Sequence, residues 1–165
     1  MTENELSEPV PVTSAPLEPS ASRMHLLQNV NAGLANCQTI EDAVQSTINT
    51  LYTFLPQQQI SFWILTPQKD LKLESFAGST PPDITSIPLD DGEYALTQAA
   101  RENLSFCLDE PSAEPGLLLL NPNSHSLLCI PVTFQDRLLG LINLENAQPN
   151  AYDESDLQVF TILAA

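Results

Sequence analysis

The chain has 165 residues, with 21 acidic against 5 basic side chains and a formal charge of −16. That length suits one domain with enough chain to bury a core. The charge excludes a nucleic-acid interface, which needs clustered cations for its phosphate contacts, and docking on an anionic membrane surface.

Residues 1–22 hold Glu3, Glu5, Glu8 and Glu18, no base, and Pro9, Pro11, Pro16 and Pro19. The prolines and the shortage of apolar side chains predict a disordered, self-repelling leader, with the folded domain over 23–165. The acidic start is the reverse of a signal peptide's basic one. No window approaches the ~18 apolar residues of a membrane span. Without the leader, 17 acids still face 5 bases, which favours neutral or cationic ligands over anions. From Ser22, Leu26, Leu27, Val30 and Leu34 form a narrow helical stripe, the pattern of a helix–helix seam. Thr39 with Asp42 opens a second helix, whose apolar positions run from Ile40 to Leu55 and stop at Pro56.

Strands follow at Ile60–Leu65 and Leu71–Ala77, joined by a turn at Gln68-Lys69-Asp70. A proline-rich stretch leads to Asp90-Asp91-Gly92, then a short helix over Glu93–Glu102 and a strand over Leu104–Leu108. Residues 111–124 read as irregular, with Leu117–Leu120 burying part of their surface. Leu127–Phe134 and Leu138–Glu145 bracket Gln135-Asp136-Arg137 as a hairpin. Both are apolar on alternate positions of either parity, so they belong mid-sheet, covered on both faces. Gly140 inside the second marks a bulge or a close backbone approach. Asp153 with Asp156 caps a last helix carrying Leu157, Phe160, Ile162 and Leu163. It reaches Ala165 without a stop signal, which predicts a longer protein.

The run Ser126-Leu-Leu-Cys-Ile-Pro-Val132, then Phe134-Gln-Asp-Arg-Leu-Leu-Gly140-Leu-Ile-Asn-Leu-Glu145, then Tyr152-Asp-Glu-Ser-Asp156-Leu157, resembles a GAF domain. The resemblance extends upstream to the two helices, the Phe62–Leu65 strand, Leu89-Asp-Asp-Gly92 and the Leu104–Asp109 strand, over residues 24–165. It implies an α+β fold. A GAF/PAS-like central antiparallel sheet of five to six strands has the terminal helices on one face and a pocket among short helices and loops on the other. By family position the pocket candidates are Phe62, Ile64, Ser75, Thr97, Cys107, Asp109, Ser126, Cys129 and Asn143. The dimer-seam candidates are Leu26, Leu27, Val30, Leu34, Leu157 and Phe160.

Three functions follow from the resemblance. The leading one is a non-catalytic, cytoplasmic sensor module of a signalling protein such as a histidine kinase or cyclase. It binds a neutral or cationic small molecule, pairs as a homodimer and signals through its terminal helices to an output domain beyond Ala165. The alternatives are a free-methionine-sulfoxide reductase-like enzyme using Cys107 and Cys129, and a dimerisation module with a vestigial pocket. No cofactor is identified. The Cys-His pair of bilin-binding members and the Asn-Lys-x-Phe-x-Asp-Glu signature of the cyclic-nucleotide branch are both missing. His125 and Cys129 sit about 13 Å apart on an extended strand, too far to share a metal.

Overall fold

The computed structural model describes residues 19–56, 58–110 and 117–164. The expected leader over 1–22 thus falls mostly outside them. Helix α1 (Pro19–Leu34) begins three residues before the expected Ser22, since a proline is compatible with the first turn of a helix, where its missing N–H has no intrahelical partner anyway. Then come α2 (Ile40–Phe54), β1 (Gln59–Leu65), β2 (Asp70–Ala77), β3 (Ser86–Pro88), α3 (Ala95–Glu102), β4 (Phe106–Asp109), β5 (Ser126–Phe134), β6 (Arg137–Asn146) and α4 (Glu154–Leu163). The six strands form one antiparallel sheet in the order β3-β2-β1-β6-β5-β4. Helices α1, α2 and α4 cover one face and α3 the other. The expected α+β architecture is the one observed.

Alternation along β1 and β6 builds two cores. Ile60, Phe62, Ile142 and Leu144 face the helix layer, where they meet Leu26, Val30, Val44, Ile48, Leu51 and Phe160. Trp63 and Leu141 face the opposite way, packing on Leu71, Ile87, Leu96, Ala99 and Cys129. The buried Trp63 indole donates to Ser61 Oγ at 2.9 Å, so its polar edge is satisfied without water. Helix α2 starts where Thr39 Oγ1 accepts from the Asp42 amide at 3.0 Å, as the capping pattern predicts. The Asp153–Asp156 pair forms a reciprocal capping box on α4. Arg23 of α1 donates to both of those carboxylates at 3.0 Å, which ties the start of α1 to the start of α4.

One detail differs from the expectation, and two others need a physical account. The proline-rich stretch contains a strand: β3 pairs Ser86–Pro88 with β2 at the sheet edge, where Pro88 can sit without a ladder donor. Pro131 is accommodated inside β5 because β4 pairs only as far as Cys129, which leaves that flank of β5 open. The seam residues are largely consumed within the chain. Leu26, Val30 and Phe160 are buried in the helix-side core, Leu27 and Leu157 are half-buried, and only Leu34 is exposed. The narrow stripe on α1 serves packing on α2 and α4.

Gln135 and Asp136 both take left-handed φ, 50° and 60°, the geometry of a two-residue hairpin turn. Gly140 faces the β1 backbone so closely that a Cβ there would run into the Trp63 carbonyl. Gly140→Ala therefore has to push β6 off β1 in the middle of the sheet. It is expected to lower unfolding free energy by about 1–3 kcal/mol in urea melts, whereas Gly92→Ala, whose Cβ would meet only the Arg101 side chain at 3.6 Å, is expected to leave the midpoint nearly unchanged.

Candidate functional site

On the α3 face, a cleft of about 110 Å³ lies over the ends of β1 and β6. Ser61, Asn143 and Glu145 form its floor, Thr80–Asp83 one wall and Leu120–Pro122 the other. These floor residues share one parity of two paired strands, with Ser61 opposite Asn143 and Gln59 opposite Glu145. Glu145 is 2% exposed. Its Oε1 accepts from the Leu120 amide at 3.1 Å and Asn143 Nδ2 at 3.1 Å. Its Oε2 accepts from the Asn121 amide and Ser124 Oγ, both at 2.9 Å. A carboxylate has about four lone-pair sites, and all are used. Burial raises the Glu145 carboxyl above the ordinary glutamate range, against the opposing pull of these four donors.

Glu145 thus anchors the loop that forms one wall of the cleft, and it was not among the expected site residues. The available signal was an ionisable side chain closing a strand that is, Asn143 apart, otherwise apolar.

The nine expected pocket residues do not converge. Asn143 alone lines this cleft. Phe62 and Ile64 face the helix layer and line a separate apolar cavity there. Ser75 is also on that side, its hydroxyl donating to Gln45 Oε1 of α2 at 3.1 Å. Thr97 is buried in α3 and spends its hydroxyl on the Asp91 and Tyr94 carbonyls. Ser126 donates to the Gln148 carbonyl at 2.7 Å and accepts from the Ala151 amide at 3.1 Å, fastening the β6–α4 connection. Asp109, opposite Ser126 at the sheet edge, is exposed.

A GAF domain family model matches residues 37–165. The chain belongs to the GAF domain family. No match is found among curated proteins. Among solved structures, the chain is similar to a free methionine-R-sulfoxide reductase from Neisseria meningitidis in complex with its substrate. The TM-score is 0.82 and the identity 18%, covering 91% of this chain and 88% of that one. It is similar to a type II free methionine-R-sulfoxide reductase from Thermoplasma acidophilum at TM-score 0.67 and 22% identity, covering 85% and 90%. The GAF domain of an Acinetobacter phosphoenolpyruvate-protein phosphotransferase matches at TM-score 0.74 and 16% identity, covering 87% and 88%. These identities establish a shared fold. The expectation that this GAF domain is not an enzyme is corrected by the same finding, because catalytically active reductases carry the fold as well as other GAF domains.

The thiols of this GAF domain lie apart. Cys107 is opposite Leu128 and packs into the helix-side core, while Cys129 belongs to the α3-side core. Strand alternation therefore puts the sheet between them, and the pair expected for a reductase is not assembled as a disulfide couple. Cys129 is the cross-strand partner of Asn143, directly beside the cleft floor, but fully buried. Burial first, and the Glu145 carboxylate second, push its thiol well above the usual range. Burial, with Asp109 adding, pushes the Cys107 thiol up to about 11. Cys37 lies at the end of α1, its thiol donating to the Gly33 carbonyl at 3.3 Å. Among the described residues, no three His, Cys, Asp or Glu side chains gather as metal ligands. No described helix is long and apolar enough to cross a membrane.

Two outcomes follow. At pH 8 only about one Cys107 in a thousand is thiolate, so the native protein is expected to react slowly with an aromatic disulfide at Cys107 and not at Cys129 until it unfolds. Peptide mapping after labelling reads both sites. Glu145→Gln places an amide among N–H donors and strands part of them. A loss of about 1–3 kcal/mol in stability, with faster amide exchange confined first to residues 117–124, is the expected result.

Proposed function

We propose that this GAF domain binds a small, amine-bearing polar molecule of the free amino acid class in the cleft above Asn143 and Glu145. The observation that carries the reading is the paired carboxylate and amide on the cleft floor, with Asp83 on its wall. Acidic groups at floor and wall favour a cation, and the chain's charge of −16 reinforces that preference. A ligand ammonium takes the Asn143 share of Glu145 Oε1. The freed Asn143 amide then donates to the ligand's carboxylate, so a zwitterion exchanges one satisfied contact for two.

Free methionine-R-sulfoxide is the first ligand to test, since the Neisseria structure that shares the fold contains that enzyme's substrate. Calorimetry is expected to show binding of methionine sulfoxide, loss of binding when its amine is acetylated, and about tenfold weaker affinity in Asn143→Ala. Equal binding of the acetylated compound, or none of either, overturns the reading.

Reduction of the bound sulfoxide is a second reading, supported by the free methionine-R-sulfoxide reductases that share the fold. The sulfur accepts two electrons and its oxygen leaves as water, with two molecules of an external thiol supplying two hydrogens and ending as their disulfide. Methionine formed faster than in the thiol-only control supports that reading; no turnover above the control sinks it and leaves the binding site standing.

A further inference from the structure

The larger concavity lies on the other face of the sheet, independent of the polar cleft. It has a volume of about 500 Å³, between the first turns of α2, the adjoining ends of β1 and β6, and the last turn of α4. Val44, Phe62 and Ile142 make its buried floor. At its mouth, Ile40 is 67% exposed and Leu139 44%, apolar side chains left in water. A space of this size falls within the ~300–1,000 Å³ of small-molecule sites. It far exceeds the voids that a close-packed core tolerates.

Charge narrows the occupant. In a chain with 21 acids and 5 bases, no Asp or Glu among the described residues lines this cavity, and the one ionisable side chain among them that does is Arg137. Arg137 opens β6 beside the hairpin turn and makes no ion pair among the described residues, whereas Arg23 is held by two aspartates. Thr47 is the buried polar side chain in the helical wall. A planar guanidinium at the rim of an apolar hollow matches a carboxylate in two-point fashion. A hydrocarbon or aromatic body behind that carboxylate matches the walls.

We infer that the helix-side cavity binds a small amphipathic carboxylate, its apolar body over Phe62 and Ile142 and its anionic head on Arg137. Leu163 and Ala164 belong to the cavity wall, so the bound molecule also seats the last turn of α4. The general acidity of the chain acts against an anion only weakly at this rim, since charges beyond about 8 Å are screened at physiological salt.

Decanoate, decan-1-ol and decylammonium share one chain and differ in head group, which makes them the probes. Methyl NMR titrations and calorimetry on the 165-residue chain are expected to show decanoate perturbing Ile40, Val44, Ile142 and Leu163 while leaving Leu96 of α3 unshifted. Decylammonium is expected to bind about tenfold more weakly than decanoate. Arg137→Gln is expected to weaken decanoate about tenfold and leave decan-1-ol unchanged. Ala43→Phe, which fills the hollow from α2, is expected to abolish binding of both, with the α3-side spectrum retained as the control for folding. Equal affinity for the three head groups, an Arg137→Gln variant that binds decanoate as well as the parent, or no binding at all, overturns the inference. Self-association that protects Ile40 and Leu139 and that decanoate does not reverse overturns it too, in favour of a second copy as the occupant.

Discussion

Strands β1 and β6 pair through the middle of the sheet, and both of their faces are covered. A strand in that position has no solvent side, so its period-two alternation divides the chain between two cores rather than between core and water. Every feature of functional interest inherits its place from this division. Ser61, Asn143 and Glu145 have one parity and floor the polar cleft; Phe62, Ile64 and Ile142 have the other and line the apolar cavity. Cys129 shares a face with Asn143, and Cys107 shares one with Leu128. The pairing is held by backbone contact as much as by side chains, because Gly140 lets β6 approach the Trp63 carbonyl.

The polar cleft has a particular energetic cost. A carboxylate removed from water is tolerable only if it is fully hydrogen-bonded, and Glu145 meets that condition with two backbone amides and two side chains. Those amides come from a loop that would otherwise leave them to solvent. One buried charge therefore shapes the wall of the cleft, and the wall in turn keeps the charge dry. Side-chain donors are the exchangeable members of this set, since Ser124 and Asn143 can rotate away while the Leu120 and Asn121 amides are fixed by the chain path.

Much of the fold was legible in the sequence because local rules agreed with the global one. Thr39, Asp153 and Asp156 mark helix starts, Gln135-Asp136 a turn, and Gly140 a close approach, each for a reason contained within a few residues. The site was less legible. Where both parities of a strand are apolar, alternation shows that there are two faces but not which one meets the helices. Family position puts Phe62 and Ile64 in the same pocket as Asn143, and alternation alone does not correct it. The bulge between Phe62 and Trp63 shifts the register of β2, which puts Ser75 under α2 rather than in the cleft. Glu145 is legible only as the acid that ends a strand of the family pattern, because its burial depends on a loop more than twenty residues earlier. The proline-rich segment concealed β3 for a related reason: an edge strand needs few donors, so prolines do not exclude it.

The two concavities lie back to back on the same pair of strands. Ile142 of the apolar cavity and Asn143 of the polar cleft are consecutive residues, as are Ser61 and Phe62. A close-packed sheet does not absorb displacement at one face without passing it to the other. Any movement of β6 that follows filling of the cleft therefore reaches Ile142, and through the cavity wall it reaches Leu163 and Ala164 at the end of α4. The opposite end of α4 is fastened to α1 by Arg23, while Ala164, just past its last turn, is buried and accepts from the Thr133 amide of β5 at 3.4 Å. Thermodynamic linkage requires the effect to run both ways. Where filling one concavity shifts β6, the affinity of the other changes by the same factor in either direction.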